Sequence, residues 1–263
     1  MTGAGAVVAL VLVEWTAGWI GAAAWTQSWG VVRRGHFRIT AWITLGLAVI
    51  ALLANGEAVN EVPAAGGQPA FVAALTAGSL LYLAVQYSRT DVPAVVTGAV
   101  AAAIGVVALL LAAELVRNWP WWLAGLELVS GMLLLGAVWN GMMLGHWYLN
   151  QPGLNPRALG RLTDLGLVGV VASAVLGVIG AGELTTASTE GAVLGLPGFG
   201  QSFSLAFYLV WIALLGLTGV VVWAARRCVS LRSIQSATGL LYVAVLSAGV
   251  SEFLVRYLMV NAT

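Results

Sequence analysis

The sequence contains no lysine and a single cysteine, and only 8% of its 263 residues are charged. Soluble domains carry about 25% charged residues. With 60% hydrophobic residues, this chain has far more apolar surface than a water-soluble domain of its size can hide, so lipid is the expected solvent. The missing lysine excludes a retinal Schiff base. The lone Cys228 excludes an internal disulfide, a CxxC redox site and a cysteine-ligated iron–sulfur cluster in this chain. It follows Arg226 and Arg227 and reads as a loop residue at a helix end. A net charge of +1 leaves no general basic face for nucleic acid. No Walker A or HExxH motif occurs, and two histidines are too few for a dihaem cytochrome. Residues 1–6 carry no basic charge and the first apolar run is too long for a signal peptide, so that run is expected to remain as a helix.

What is present is a series of long apolar runs, at 4–27, 38–55, 71–88, 94–116, 121–148, 163–182, 203–225 and 237–260. They are too long for buried strands and lack strict alternation, which argues for helices. A bilayer core about 30 Å thick needs roughly 20 apolar residues per crossing. The predicted fold is therefore all-α, a polytopic bundle of eight transmembrane helices forming one domain over 1–263. Pro93 and Pro120 stand where helices begin. Gly141 and Gly145 make a GxxxG pair on helix five, a signal of close helix packing. No internal repeat is visible.

Nine of the eleven arginines fall in the odd-numbered connections: Arg33, Arg34, Arg38, Arg89, Arg157, Arg161, Arg226, Arg227 and Arg232. The even-numbered connections hold Arg117 with Glu57, Glu61 and Glu190. The positive-inside rule places the odd loops in the cytoplasm and both termini outside. Abundant Ala, Gly, Val and Arg suggest a GC-rich bacterial genome, so the expected location is a bacterial cytoplasmic membrane. The connection around Pro197 is the longest outer loop, placed to cover an outward-facing site.

Ionisable groups inside a bilayer are costly and mark functional candidates. Five stand within or at the ends of the runs: Glu14, Glu114, Glu127, Glu252 and Arg256. Glu14 falls near the midplane and the others in the outer half. Glu252 and Arg256 are spaced i,i+4 and can pair on one helix face. Such a pair serves either helix packing or an outward-opening proton site. Glu14 and Glu127 have no neutralising neighbour in sequence, so they are either protonated or paired across helices. Glu114 reads as interfacial. Trp15 and Trp19, one turn apart beside Glu14, suit a quinone ring, and equally suit ordinary packing. Most of the remaining tryptophans form an interfacial belt. His36 and His146 lie near the arginine-rich side; two imidazoles suffice to ligate one b-type haem iron, which requires the loop-one end to approach the end of helix five. Separate interfacial histidines are the plainer reading.

The last run, LLYVAVLSAGVSEFLVRYL, joins a small residue to Glu252, then Arg256, Tyr257 and Leu258. The sixth, VVASAVLGVIGAGELTT, closes with Gly182 and Glu183. These stretches resemble the closing and sixth helices of the dimethyl sulfoxide reductase membrane-anchor family, related to polysulfide reductase anchors. The HWYL end of helix five departs from that pattern. The resemblance implies eight helices with both ends outside and a quinol site near the outer face. It also implies partner iron–sulfur and molybdenum catalytic subunits. From the residues themselves, Glu14, Glu127, Glu252 and Arg256 are the expected reactive residues, with Trp15, Trp19 and His146 against the quinone or haem. A proton-coupled transporter or channel, or an assembly subunit of a membrane complex, accounts for the same buried carboxylates.

Overall fold

The computed structural model describes residues 3–59, 66–116, 119–151, 153, 155–185 and 201–260. The described residues form helices and turns, with no strand among them. Eight helices are long and apolar enough to cross a membrane. They are α1 (Gly3–Gln27), α2 (Arg34–Val59), α3 (Gln68–Val85), α4 (Val92–Ala113), α5 (Trp121–Asn150), α6 (Arg157–Ile179), α8 (Gln201–Ser230) and α9 (Ile234–Val260); the short α7 (Ala181–Thr185) follows α6. In lipid each backbone N–H and C=O must be satisfied within the protein, and a helix does this alone. Helix starts coincide with prolines: Pro69 and Pro93 lie in the first turns of α3 and α4, and Pro120 and Pro156 are the N-caps of α5 and α6.

On the arginine-rich side three helices run further into the polar flanks than the apolar runs do, whereas α3, α4 and α6 each end three residues before theirs. The second begins at Arg34 rather than 38, the sixth at Arg157 rather than 163, and the next-to-last continues to Ser230 rather than 225. Arginine remains helical at an interface because its stem lies along apolar surface while its head reaches water. Cys228 is consequently a half-buried residue of α8, not a loop residue. Arg117, Glu61, Glu190 and Pro197 lie outside the described residues, so the expected cover over an outer site does as well.

The packing order is cyclic in two groups. In the first, α1 touches α2 and α4, which are joined through α3; in the second, α5 touches α6 and α9, which are joined through α8. The groups meet where α1 lies on α5, with α4 and α9 alongside. These two central helices are the most buried of the eight spans. They approach to backbone contact: a Cβ added at Gly18 would strike the Met132 carbonyl, and one at Gly136 would strike the backbone of Gly18. The GxxxG pair serves a second crossing, with α9, where a Cβ on Gly145 would fall 2.5 Å from Thr238 Oγ1 and Gly141 faces Leu241.

The odd-numbered connections gather at one end of the bundle. Arg34 Nε pairs with Asp91 at 2.7 Å, and its other nitrogens donate to the Ser88 and Arg89 carbonyls. Arg161 lies over the Trp29 ring, and Arg226 pairs with Asp164.

Candidate functional site

Arg256 is a fully buried guanidinium one turn from the described end of α9. Lipid and apolar side chains cannot solvate it, so it takes its partners from three helices. Its Nε donates to Glu14 Oε1 of α1 at 2.6 Å. Its Nη2 donates to Glu252 Oε2 at 2.7 Å and to the Glu127 carbonyl of α5 at 2.9 Å. Its Nη1 stands 3.6 Å from Glu127 Oε1 and donates to Met259 Sδ at 3.1 Å. All three carboxylates are fully buried. At a rise of 1.5 Å per residue, Glu14 lies roughly 16 Å along α1 from Gly3, Glu127 roughly 9 Å into α5 and Arg256 roughly 6 Å from Val260. The cluster therefore spans from mid-bundle toward the end opposite the arginine-rich one.

Glu14 and Glu127 both pair across helices with Arg256. Glu252 makes the anticipated i,i+4 pair. Glu114 is an exposed residue at the end of α4, away from this cluster. Sequence reading missed Gly131, which makes room for the cluster: a Cβ there would strike Arg256 Nη2 and Glu252 Oε2. It also missed Ser130, whose Oγ contacts the Glu127 carbonyl at 2.9 Å and Ser173 Oγ at 2.8 Å. The spacing of Gly131, four residues after Glu127 on the same helix face, was the available signal.

Three carboxylates against one guanidinium leave two formal negative charges uncompensated. Burying uncompensated charge in a low-dielectric interior is costly. The cluster thus calls for two positive equivalents. Glu14 Oε2 and Glu252 Oε1 are buried without a hydrogen-bond partner among the described residues, as are the indole nitrogens of Trp15 and Trp19. Orphaned acceptors and donors thus belong to neighbouring residues of α1 and α9.

Trp15 and Trp19 lie parallel within 4°, their centroids 6.3 Å apart. Trp139 of α5 completes the wall, 4.3 Å from Trp15 and 5.4 Å from Trp19. A separate cavity of about 210 Å³ is lined by Gly18, Ala22, Trp25, Met132, Leu133 and Leu165. Gly18, Ala22 and Trp25 continue the α1 face that begins at Glu14, so the apolar cavity starts one turn from the cluster.

Toward the arginine-rich end the same two central helices carry a second buried network. His36 Nε2 lies 3.2 Å from Asn140 Oδ1, and Asn140 Nδ2 donates to Thr26 Oγ1 at 3.0 Å. His146 is exposed, and its carbonyl accepts from Asn150. No hydrogen bond or ring contact joins the two histidines among the described residues. An imidazole held by Asn140 and another at the surface do not fit a pair of axial haem ligands. A comparison with protein families, curated proteins and solved structures finds no match for this chain.

Proposed function

We propose that this chain is a quinol-interacting membrane subunit of an oxidoreductase in a bacterial cytoplasmic membrane, oriented with its arginine-rich end in the cytoplasm. It would pass electrons to an iron–sulfur partner and, through it, to a catalytic subunit. The carrying observation is the buried cluster in which Glu14, Glu127 and Glu252 share Arg256. A quinol supplies two electrons and two protons on oxidation, and two protons are the charge the cluster lacks. Orphaned Trp15 and Trp19 N–H groups and the free oxygens of Glu14 and Glu252 offer donors and acceptors to a ring bearing two oxygens. The wall of Trp15, Trp19 and Trp139 would give that ring an apolar face, and the cavity at Gly18 and Met132 would admit an apolar ligand. Glu14 at Oε2 and Glu252 at Oε1 would each accept one of the two protons as the two electrons leave for the iron–sulfur partner. Arg256 would hold the carboxylates in register, and both protons would leave outward past Glu252, the one nearer the helix end. The test is purification in mild detergent with analysis of extracted quinone, co-purifying subunits and quinol-driven electron transfer. The reading expects bound quinone and a rate that falls at least tenfold in Glu14→Gln but not in Glu114→Gln. Solitary, quinone-free protein would sink it.

A second reading, a proton-coupled transporter, draws on the His36–Asn140–Thr26 network that joins α2 to the other end of α1 and α5. It expects a pH-gradient-driven flux in proteoliposomes that disappears with Glu14→Gln, with no quinone required.

A further inference from the structure

We infer that the arginine-rich end carries a binding site for a phosphate group, borne by an anionic lipid headgroup or supplied as a free anion. A polar pocket of about 390 Å³ opens between the start of α6 and the end of α8. Arg157 and Arg161 reach it from α6, Arg226 from α8 and Arg232 from the turn into α9; Asp164 is its one acidic residue. Four guanidiniums facing one carboxylate leave an excess of three positive charges in a single concavity. Like charges this close repel unless an anion lies between them.

Two of the four are already engaged: Arg226 Nε pairs with Asp164 Oδ1 at 2.6 Å, and Arg161 lies 4.8 Å over the Trp29 ring. Arg157 and Arg232 make no side-chain ion pair or hydrogen bond among the described residues, and both are exposed. Arg232 has φ of 59°, the left-handed region that non-glycine residues seldom occupy. The turn that places it is closed by Arg232 N donating to Val229 O and Ser233 N to Cys228 O. A planar guanidinium matches phosphate oxygens in bidentate fashion, and such charge-assisted bonds are the strong ones.

The pocket lies at the ends of the α6 and α8 spans, where the headgroups of a surrounding bilayer would stand. Beside it Trp223 and Leu231 are exposed by 53% and 79%, and Arg227 lies over the Trp223 ring. An exposed tryptophan under a row of arginines is the pattern of a membrane interface, and basic pockets between helices at that depth suit anionic headgroups. A lipid phosphate is therefore the favoured source.

The experiment uses the full chain, delipidated in mild detergent. Native mass spectrometry measures retention of added phosphatidylglycerol against phosphatidylcholine, and thermal shift measures the effect of inorganic phosphate. The double variant Arg157→Gln/Arg232→Asn removes the two unengaged arginines, and asparagine tolerates the left-handed backbone. Arg89→Gln, in another connection, is the control. Phosphatidylglycerol retention should drop roughly tenfold or more in the double variant and persist in the control. Stabilisation by inorganic phosphate alone, lost in the double variant, would support the site with a soluble source. Equal retention by wild type and double variant, with no phosphate effect, would overturn the inference.

Discussion

At Gly131 a side chain has nowhere to go, because Arg256 and Glu252 occupy its place. Gly131→Ala is therefore expected to displace the guanidinium from its carboxylates and lower the melting temperature in detergent. Removing the cation outright is worse. Arg256→Met leaves three buried carboxylates without a partner, and breaking a buried ion pair in this way costs about 3–5 kcal/mol. Thermal unfolding of Arg256→Met should show that loss, and adding Glu14→Gln, Glu127→Gln and Glu252→Gln to it should restore much of the stability. If the fourfold variant is no better than the single one, charge balance is not what holds these residues together. By contrast Arg226–Asp164 is a half-exposed pair, 38% and 52% accessible, and surface pairs of this kind contribute about 0–1 kcal/mol. Asp164→Asn should unfold within a degree or two of the wild type.

Among the helices, the α1–α5 crossing determines whether the site exists, because it brings Glu14 and Trp15 against Glu127 and Trp139. Gly18 and Gly136 permit it by having no side chain. Gly18→Val should force the helices apart and cost on the order of 1–3 kcal/mol as overpacking, with loss of the Trp15–Trp139 contact read from tryptophan fluorescence. Gly46 and Gly239 are also helical, but nothing lies within 4 Å of a Cβ built there. Gly46→Ala and Gly239→Ala should be neutral or stabilising by up to about 1 kcal/mol, since alanine is the better helix former. The contrast separates glycine as spacer from glycine as mere composition. Lateral amide pairs fix the first group: Gln27 and Gln86 exchange hydrogen bonds at 3.1 and 3.0 Å, and Asn55 and Gln68 do so at 3.0 and 2.7 Å.

For the whole molecule, the arginine distribution implies an orientation that labelling tests. In a Cys228→Ser background, Arg89→Cys should react with an impermeant maleimide only after intact cells are permeabilised. Reaction before permeabilisation would invert the bundle and put the Glu14–Arg256 cluster on the cytoplasmic side. The cyclic packing of α1 to α4, matched by α5, α6, α8 and α9, was invisible as a sequence repeat. Apolar residues facing lipid interchange freely, so two groups can share an arrangement while little beyond Glu-x-x-x-Gly, at Glu14 to Gly18 and Glu127 to Gly131, remains alike.

Composition and hydrophobic run length by themselves determined the membrane-spanning helices, because a helix in lipid must satisfy its own backbone and twenty apolar residues have no cheaper conformation. They also singled out Glu14, Glu127, Glu252 and Arg256, because charge within such runs is rare. Only the tertiary structure decided that these four form one cluster. Glu14 and Arg256 are 242 residues apart, and no local periodicity encodes which helices will be neighbours. The same holds for Trp139 completing the wall begun by Trp15 and Trp19, and for His36 turning inward to Asn140 while His146 stays at the surface. Helix identity is a local property of the chain; helix adjacency depends on glycine contacts and buried charge balance summed over the whole bundle.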